Sequence, residues 1–387
     1  MILNRVKKPF YYGGVVSQDH FCNRVQEIKE LKNDMDTGLN VLLYAPRRFG
    51  KTSLVLKAVK QTNYKYIFLD FMSIVDEEEF INEYFNAISK ALYTTSDNLI
   101  HFMKKILGIR PNINVEFDIN GMPTFSLNFN RRDTKSVLKE VLEIPYQYAK
   151  HSDEKIVIIF DEFQEVINLN IEDKLRAAIQ HHGDSISYIF SGSKKSIMTK
   201  LFFDKSKSFY KSVKHLSIDK INESEWHKYI TQGFNKFDKF IEKDHIHKIL
   251  DISKGFPYYT QQIANELFSL TNSKVDDDLV EYSIKSIIKK EEDLFLNEWH
   301  NLSQYQKKAL KLLIYANGEA IYTKDTMERF NFTSSSLKKA VEGLLNKDII
   351  DLKTNIYYMQ DPLMYKYIKE MSTTLSITPV YRDKGLG

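Results

Sequence analysis

Eight residues, Ala45-Pro46-Arg47-Arg48-Phe49-Gly50-Lys51-Thr52, join a turn-forming glycine, a lysine and a hydroxyl in the spacing that grips a polyphosphate. A loop of this kind turns several backbone N–H groups toward phosphate oxygens. A helix opening directly behind it adds the partial positive charge of its N-terminus. Lys51 is then expected to reach the β- and γ-phosphates of a nucleoside triphosphate, with the Thr52 hydroxyl on a magnesium ion. Pro46, Arg47, Arg48, Phe49, Gly50 and Ser53 belong to the same nucleotide-binding set. Ala45 stands where the G-x-x-x-x-G-K-[ST] pattern has its first glycine, a change tolerated while that residue keeps a negative φ.

The second half of such a site is a carboxylate at the end of another buried strand. Ile156-Val157-Ile158-Ile159-Phe160-Asp161-Glu162 supplies it. Asp161 is expected to hold the magnesium, directly or through water. Glu162 is placed to orient and deprotonate an attacking water, a role that contributes roughly 10²–10⁴ in rate. The next apolar run, Ser187–Phe190, ends in Ser191-Gly192-Ser193. In ATPases with an acidic pair like this one, that strand lies between the P-loop strand and the acidic strand. Ser191 or Ser193 would then sense the γ-phosphate, and the sequence leaves the choice open. An isolated Gly-Lys-Thr is a basic turn and an isolated Asp-Glu a strand end; their order along the chain favours the catalytic reading.

The elements that must position these residues are legible from periodicity. Leu39–Tyr44, Tyr66–Asp70, Lys155–Phe160, Ser187–Phe190 and Val213–Ser217 read as strands, with helical stretches such as Thr52–Lys60, Glu78–Leu92, Thr134–Ala149 and Glu172–His181 between them. The unbroken apolarity of Ile156–Phe160 predicts a strand buried on both faces of a parallel sheet. The fold class is therefore α/β, a P-loop three-layer ATPase domain over residues 1–218. Asn112–Ile119 and Met122–Phe129 around Asn120-Gly121 predict an inserted hairpin at about 110–130, either a decoration or a partner-binding element. Asn222–Phe237, Asp244–Ser253, Pro257–Leu270 and Asp276–Trp299 predict an all-α lid over 219–300. Helices at Gln304–Tyr315, Lys324–Arg329 and Ser334–Asn346, the last behind the capping candidate Thr333, precede strands at Ile349–Leu352 and Ile356–Met359. That order is a winged helix over 301–372, with a loose tail at 373–387.

Composition narrows the class further. Apolar residues make up 43% and charged residues 27% of the 387, as in ordinary globular cores. No run approaches the roughly 18 apolar residues of a membrane span. A single cysteine, Cys22, fits a reducing compartment, so the expected location is the cytoplasm. The net charge of +4 permits nucleic-acid binding without arguing for it. His181-His182 and His245/His247 do not share a helix face in the way chelation needs.

Taken in order, the motifs resemble the archaeal-type ATPases of the STAND branch of P-loop NTPases, relatives of the AAA+ enzymes. Phe21-Cys22-Asn23-Arg24-Val25-Gln26-Glu27-Ile28 is similar to the family's F-x-x-R-x-x-E-I box, Ala45–Thr52 to its G-P-R-R-x-G-K-T loop, and Gly255-Phe256-Pro257 to its G-x-P motif. The resemblance implies that Asn23 and Arg24 lie near the adenine and ribose and that Pro257 closes over the base. Arg47 and Arg48 would touch phosphate or brace the loop. Lys207-Ser208 stands where relatives often carry Arg-Pro, which puts an arginine acting in trans in doubt.

The leading expectation is ATP hydrolysis with magnesium, coupled to lid closure and a winged-helix module. One rival is a non-hydrolysing switch or scaffold that holds ATP or ADP and recruits a protein partner. Another is a DNA-binding protein in the style of origin-recognition initiators. Ser334, Ser335, Ser336, Lys338, Lys339 and Lys353 suit phosphate contacts to double-stranded DNA, but that helix has no arginine to read guanine. A protein-facing winged helix and a homo-oligomer stay open.

Overall fold

The computed structural model describes residues 8–16, 20–92, 112–117, 123–128 and 134–375. Among them the chain forms two compact units. One is built around residues 23–219 with Val15 and Val16; the other takes residues 220–375 together with 8–14 and 20–22.

The first unit is a parallel sheet with flanking helices. Its chain order is α1 (Val25–Asp36), β1 (Val41–Tyr44), α2 (Lys51–Lys60), β2 (Lys65–Asp70) and α3 (Glu77–Leu92). A hairpin of β3 (Asn112–Phe117) and β4 (Pro123–Asn128) follows, then α4 (Thr134–Ser152), β5 (Ile156–Asp161), α5 (Glu172–Ile179) and β6 (Ile186–Gly192). The unit closes with α6 (Lys195–Phe203) and β7 (Lys214–Ser217). The five parallel strands run in the order β2-β5-β6-β1-β7, so β6 separates the P-loop strand from the acidic strand as anticipated. Every residue of β5 and β6 is buried, which is why both read as continuous apolar runs.

Beneath the carboxyl edge of that sheet lies an aromatic cluster. Phe163 sits 4.7 Å from Phe190, ring centre to ring centre, and also packs on Phe71, Phe202 and Phe209. The hairpin docks on α3 by a device the sequence does not advertise. Asn82 and Asn86, one helical turn apart, accept the Leu127 and Phe125 N–H groups at 2.9 and 3.1 Å, satisfying the edge of β4. The Asn120-Gly121 turn lies outside the described residues.

The second unit is helical, with α7 (Glu223–Asn235), α8 (Lys243–Ser253), α9 (Pro257–Leu270) and α10 (Asp277–His300). Phe10, from the N-terminal segment, is buried against Tyr229, Phe234 and Phe268. Gly233 makes room for it, since a Cβ there would lie 2.6 Å from the Phe10 ring. The winged helix continues this unit: α11 (Gln304–Tyr315), α12 (Lys324–Arg329), α13 (Ser334–Asn346), β8 (Ile350–Lys353), β9 (Ile356–Met359) and α14 (Pro362–Leu375). Thr333 caps α13, accepting from the Ser336 N–H while the Ser336 hydroxyl accepts from the Thr333 N–H. Among the described residues no helix is long and apolar enough to cross a membrane.

Candidate active site

Parallel strands end on one edge, and the register lines up what they carry there. Asp70 pairs with Asp161 between β2 and β5, Phe160 pairs with Phe190 between β5 and β6, and Ser191 pairs with Leu43 between β6 and β1. Asp70, Asp161 and Ser191 therefore form one row across adjacent strands, level with the end of the strand that feeds the phosphate loop.

The loop after β1 uses two left-handed residues, Arg48 at φ 66 and Gly50 at φ 80. At Gly50 the requirement is conformational, since a Cβ would meet nothing within 4 Å. Gly50 precedes α2, whose hydrogen-bond ladder starts with Leu54 N–H on Gly50 O at 2.9 Å. The first turn of a helix has N–H groups without intrahelical acceptors, and this makes it an anion site. Lys51 is buried and donates to the Ala45 and Pro46 carbonyls at 2.9 and 3.3 Å.

The two halves of the site meet directly. Thr52 Oγ1 donates to Asp161 Oδ2 at 2.5 Å across 109 positions of sequence. A hydroxyl and a buried carboxylate at this separation are hard oxygen donors of the type magnesium takes. Glu162 follows in a left-handed conformation, φ 49, and its Oε2 accepts from Gln164 Nε2 at 2.5 Å and from Ser193 Oγ at 2.9 Å. Ser193 is thus the hydroxyl that touches the acid. Ser191 Oγ is buried and has no hydrogen-bond partner.

The remaining sequence candidates divide. Arg24 is buried; it donates to Glu27 Oε1 at 2.9 Å and to the Asp219 carbonyl at 2.5 Å. Asn23, also left-handed, lines a cleft of about 480 Å³ between α1 and α2, together with Lys29, Lys32 and Lys57. The Phe49 side chain is buried, whereas Arg47 and Arg48 are exposed. Pro46 is half-buried, and Ser53 is buried with its Oγ accepting from the Val16 N–H at 3.0 Å. Pro257 occupies the first position of α9 in the helical unit.

Two residues escaped the sequence reading. Gln164 is fully buried; besides holding Glu162 it accepts from the Ser193 N–H at 3.2 Å. Gly192 is required by that approach, because a Cβ there would lie 2.7 Å from Gln164 Oε1 and 2.6 Å from Met198 Sδ. Asp70 is the other. Partial burial pushes its carboxyl above the usual range, the Met72 N–H opposes this, and the neighbouring Asp161 and Glu162 charges add to it. A cation at this edge would relieve that repulsion. The signal for Asp70 was its place at a strand end; for Gln164 there was none.

A family model of an ATPase domain predominantly from Archaea matches residues 21–263, and a model of a probable winged helix domain matches 293–370. An uncharacterized ATP-binding protein of Pyrococcus horikoshii is 28% identical over 166 residues, 40% of this chain and 47% of that protein, so the match spans about half its length. An uncharacterized protein of Methanocaldococcus jannaschii is 22% identical over 377 residues, 92% of this chain and 70% of that one. Among solved structures, a Walker-type ATPase of Pyrococcus abyssi superposes with a TM-score of 0.66 at 15% identity, covering 91% of this chain and 97% of that one. The ORC2 protein of Aeropyrum pernix, solved as ADPNP–ADP complexes, gives 0.56 at 13% identity over 95% and 100%. At such identities these two likenesses are of fold. The domain match covers well over half the residues, and the chain belongs to the family of ATPase domains found predominantly in Archaea, with a winged helix domain behind it.

Proposed function

We propose that this chain binds ATP at the Ala45–Thr52 loop and hydrolyses its β–γ phosphoanhydride, as a member of the STAND branch. The observation that carries the reading is the Thr52–Asp161 hydrogen bond, which joins the phosphate loop to the end of the acidic strand. Magnesium, held by Thr52 and Asp161, would supply charge neutralisation on the phosphate oxygens. Lys51 leaves its two carbonyl partners for the β- and γ-phosphates. Glu162, fixed by Gln164 and Ser193, orients a water and takes its proton as the water oxygen bonds to the γ-phosphorus and the bond to the bridging oxygen breaks. Ser191 adds an unpaired donor on the same edge. Asn23, Arg24 and Pro257 are assigned to the base and ribose, and Arg47 and Arg48 to the phosphates, on the strength of the resemblance. Nucleotide biases lid closure only through contacts that differ between open and closed states.

A second reading draws on the double hydrogen bond at Glu162. A base held this firmly also suits a non-hydrolysing switch, which releases or recruits a protein partner in the cytoplasm. Double-stranded DNA is assigned to the winged helix, where Ser334, Ser335, Lys338 and Lys339 are exposed on α13; assembly into homo-oligomers is compatible with either reading. Steady-state phosphate release with and without duplex DNA, beside Lys51→Ala, separates these. Turnover abolished in Lys51→Ala supports the hydrolase. Tightly bound nucleotide in the purified protein with no turnover would establish the switch.

A further inference from the structure

In the α/β unit, α1 segregates its charges. Val25, Ile28, Lys29, Lys32, Asn33 and Asp36 recur at helical intervals of three and four, one stripe along about 16 Å of the helix. That stripe, with Lys57 and Gln61 of α2, walls the cleft of about 480 Å³. Ile28 is buried there, and Val25, 64% exposed, adds to the same apolar strip. Lys57 stands five residues past Thr52, about 8 Å along α2, so this part of the helix is clear of the phosphate loop.

Lys29, Lys32 and Lys57 line this groove against Asp36 alone. The other acids of α1 are held elsewhere: Glu27 by Arg24 at 2.9 Å, and Glu30 and Asp34 by Lys214, each at 2.8 Å. The α2 sequence contains no acid. Asp36 accepts from the Tyr64 hydroxyl at 2.9 Å, and its carbonyl accepts from the Lys155 ammonium, which puts a further cation beside it. Among the described residues Lys29 and Lys32 have no carboxylate partner. The groove therefore keeps a surplus of positive charge over an apolar strip. A pocket for one small anion concentrates a few polar groups at one point; here Lys29 is exposed, and the lysines are strung along two helices.

We propose that the α1–α2 groove docks a negatively charged amphipathic helix of a protein partner, with the apolar ridge of that helix on Val25 and Ile28 and its carboxylates against Lys29, Lys32 and Lys57. The stretches of this chain outside the described residues and long enough to fill it are themselves basic. Residues 93–111 carry Lys104, Lys105 and Arg110 against Asp97, and residues 376–387 carry Arg382 and Lys384 against Asp383. Charge thus points to another molecule as the occupant. Such a groove could serve the partner of the switch reading, but it stands on its own residues and holds equally for a hydrolase.

The test is fluorescence anisotropy with the full chain and a labelled amphipathic peptide of about five helical turns, with leucines on one face and glutamates elsewhere. Control peptides are a scrambled sequence of the same composition and a version with lysine for every glutamate. The variants are Lys29→Glu/Lys32→Glu, the milder Lys29→Gln/Lys32→Gln, and a charge-matched control, Lys285→Glu/Lys289→Glu, at exposed positions of α10. The wild type should bind the glutamate peptide more tightly than the scrambled one. Lys29→Glu/Lys32→Glu should weaken that binding by about tenfold or more, because like charges then face each other, and should bind the lysine peptide more tightly than the wild type does. The Gln variant should show a smaller loss and the α10 control none, with ATP affinity and thermal midpoint at the wild-type level in all three. No binding of the glutamate peptide at low salt, equal binding of the scrambled one, or an equal loss in the α10 control would overturn the proposal. Weakened ATP binding in the Lys29/Lys32 variants at an unchanged thermal midpoint would give the groove to the nucleotide instead. Loss of self-association or of duplex binding in those variants, with the glutamate peptide ignored by the wild type, would give it to a second copy or to nucleic acid and likewise overturn the proposal.

Discussion

Replacing Gln164 with methionine keeps the side-chain volume and removes the two shorter hydrogen bonds of the amide, along with a long one to Glu165 Oε1 at 3.5 Å. One is a charge-assisted bond to Glu162 Oε2 at 2.5 Å, worth about 1.5–3 kcal/mol. The other satisfies the buried Ser193 N–H at 3.2 Å, and leaving that donor unpaired costs about 1–3 kcal/mol. The two terms share one network, so their joint effect is set at roughly 3 kcal/mol. Local opening around Ser193 should therefore become easier by about 3 kcal/mol, or roughly 150-fold in amide exchange. Hydrogen exchange read by mass spectrometry over the β6 segment is the assay, because a chain of two units need not unfold in one step. Glu162 keeps the Ser193 hydroxyl at 2.9 Å, so the acid is loosened and not released. A shift of about 1 Å in a reacting group costs on the order of 10²-fold. Turnover should fall between about tenfold and a hundredfold, with ADP affinity unchanged. Unchanged exchange at β6 together with wild-type turnover would show that Gln164 does not position the base.

Gly192→Ala drives a methyl group into Gln164 and Met198, so it should reproduce the turnover loss of Gln164→Met, measured by the same phosphate-release assay. Asp70→Asn should raise the thermal midpoint of the nucleotide-free protein near neutral pH. The folded carboxyl is pushed up, so stability is lost as pH rises above about 3.9, and the gain should vanish in acid where both forms are neutral. His182, buried and stacked on Tyr146 with its Nδ1 2.8 Å from the Tyr188 hydroxyl, is held below its usual range by burial, while Glu143 opposes this. Stability should therefore be lost as pH falls below about 6.5, and urea midpoints of His182→Gln should show a flatter acid limb.

What could be read from the chain alone was whatever lies close in sequence or repeats with a regular period. The run Ile156–Asp161 announces a doubly covered strand because all six positions are buried, and Gly50-Lys51-Thr52 carries its chemistry in one turn. The order β2-β5-β6-β1-β7 also followed in part, since an acidic pair of this type implies an inserted strand. Contacts set by that sheet order were not legible. Gln164 meets Ser193 from 29 positions away, and Asn82 and Asn86 cap a hairpin edge about 40 positions on. Arg24 reads as a nucleotide contact in its local box, and the bond of its Nη1 to the Asp219 carbonyl, 195 positions on, was not legible there. Phe10 falls within the 1–218 stretch read as the α/β domain, and its ring packs on Phe234 in the helical unit. The choice between Ser191 and Ser193 turned on a difference of two residues along one strand end. Ser193 bonds to Glu162, whereas the Ser191 hydroxyl is buried without a hydrogen-bond partner.

The central claim is that one pocket joins the phosphate loop to a water-activating acid, and Glu162→Gln tests it most directly. Glutamine keeps the shape and can still bond to Ser193, but it takes up no proton. The account predicts retained ATP binding with single-turnover phosphate release slowed by about 10²–10⁴. Release at the wild-type rate, with ATP bound as before, would contradict it.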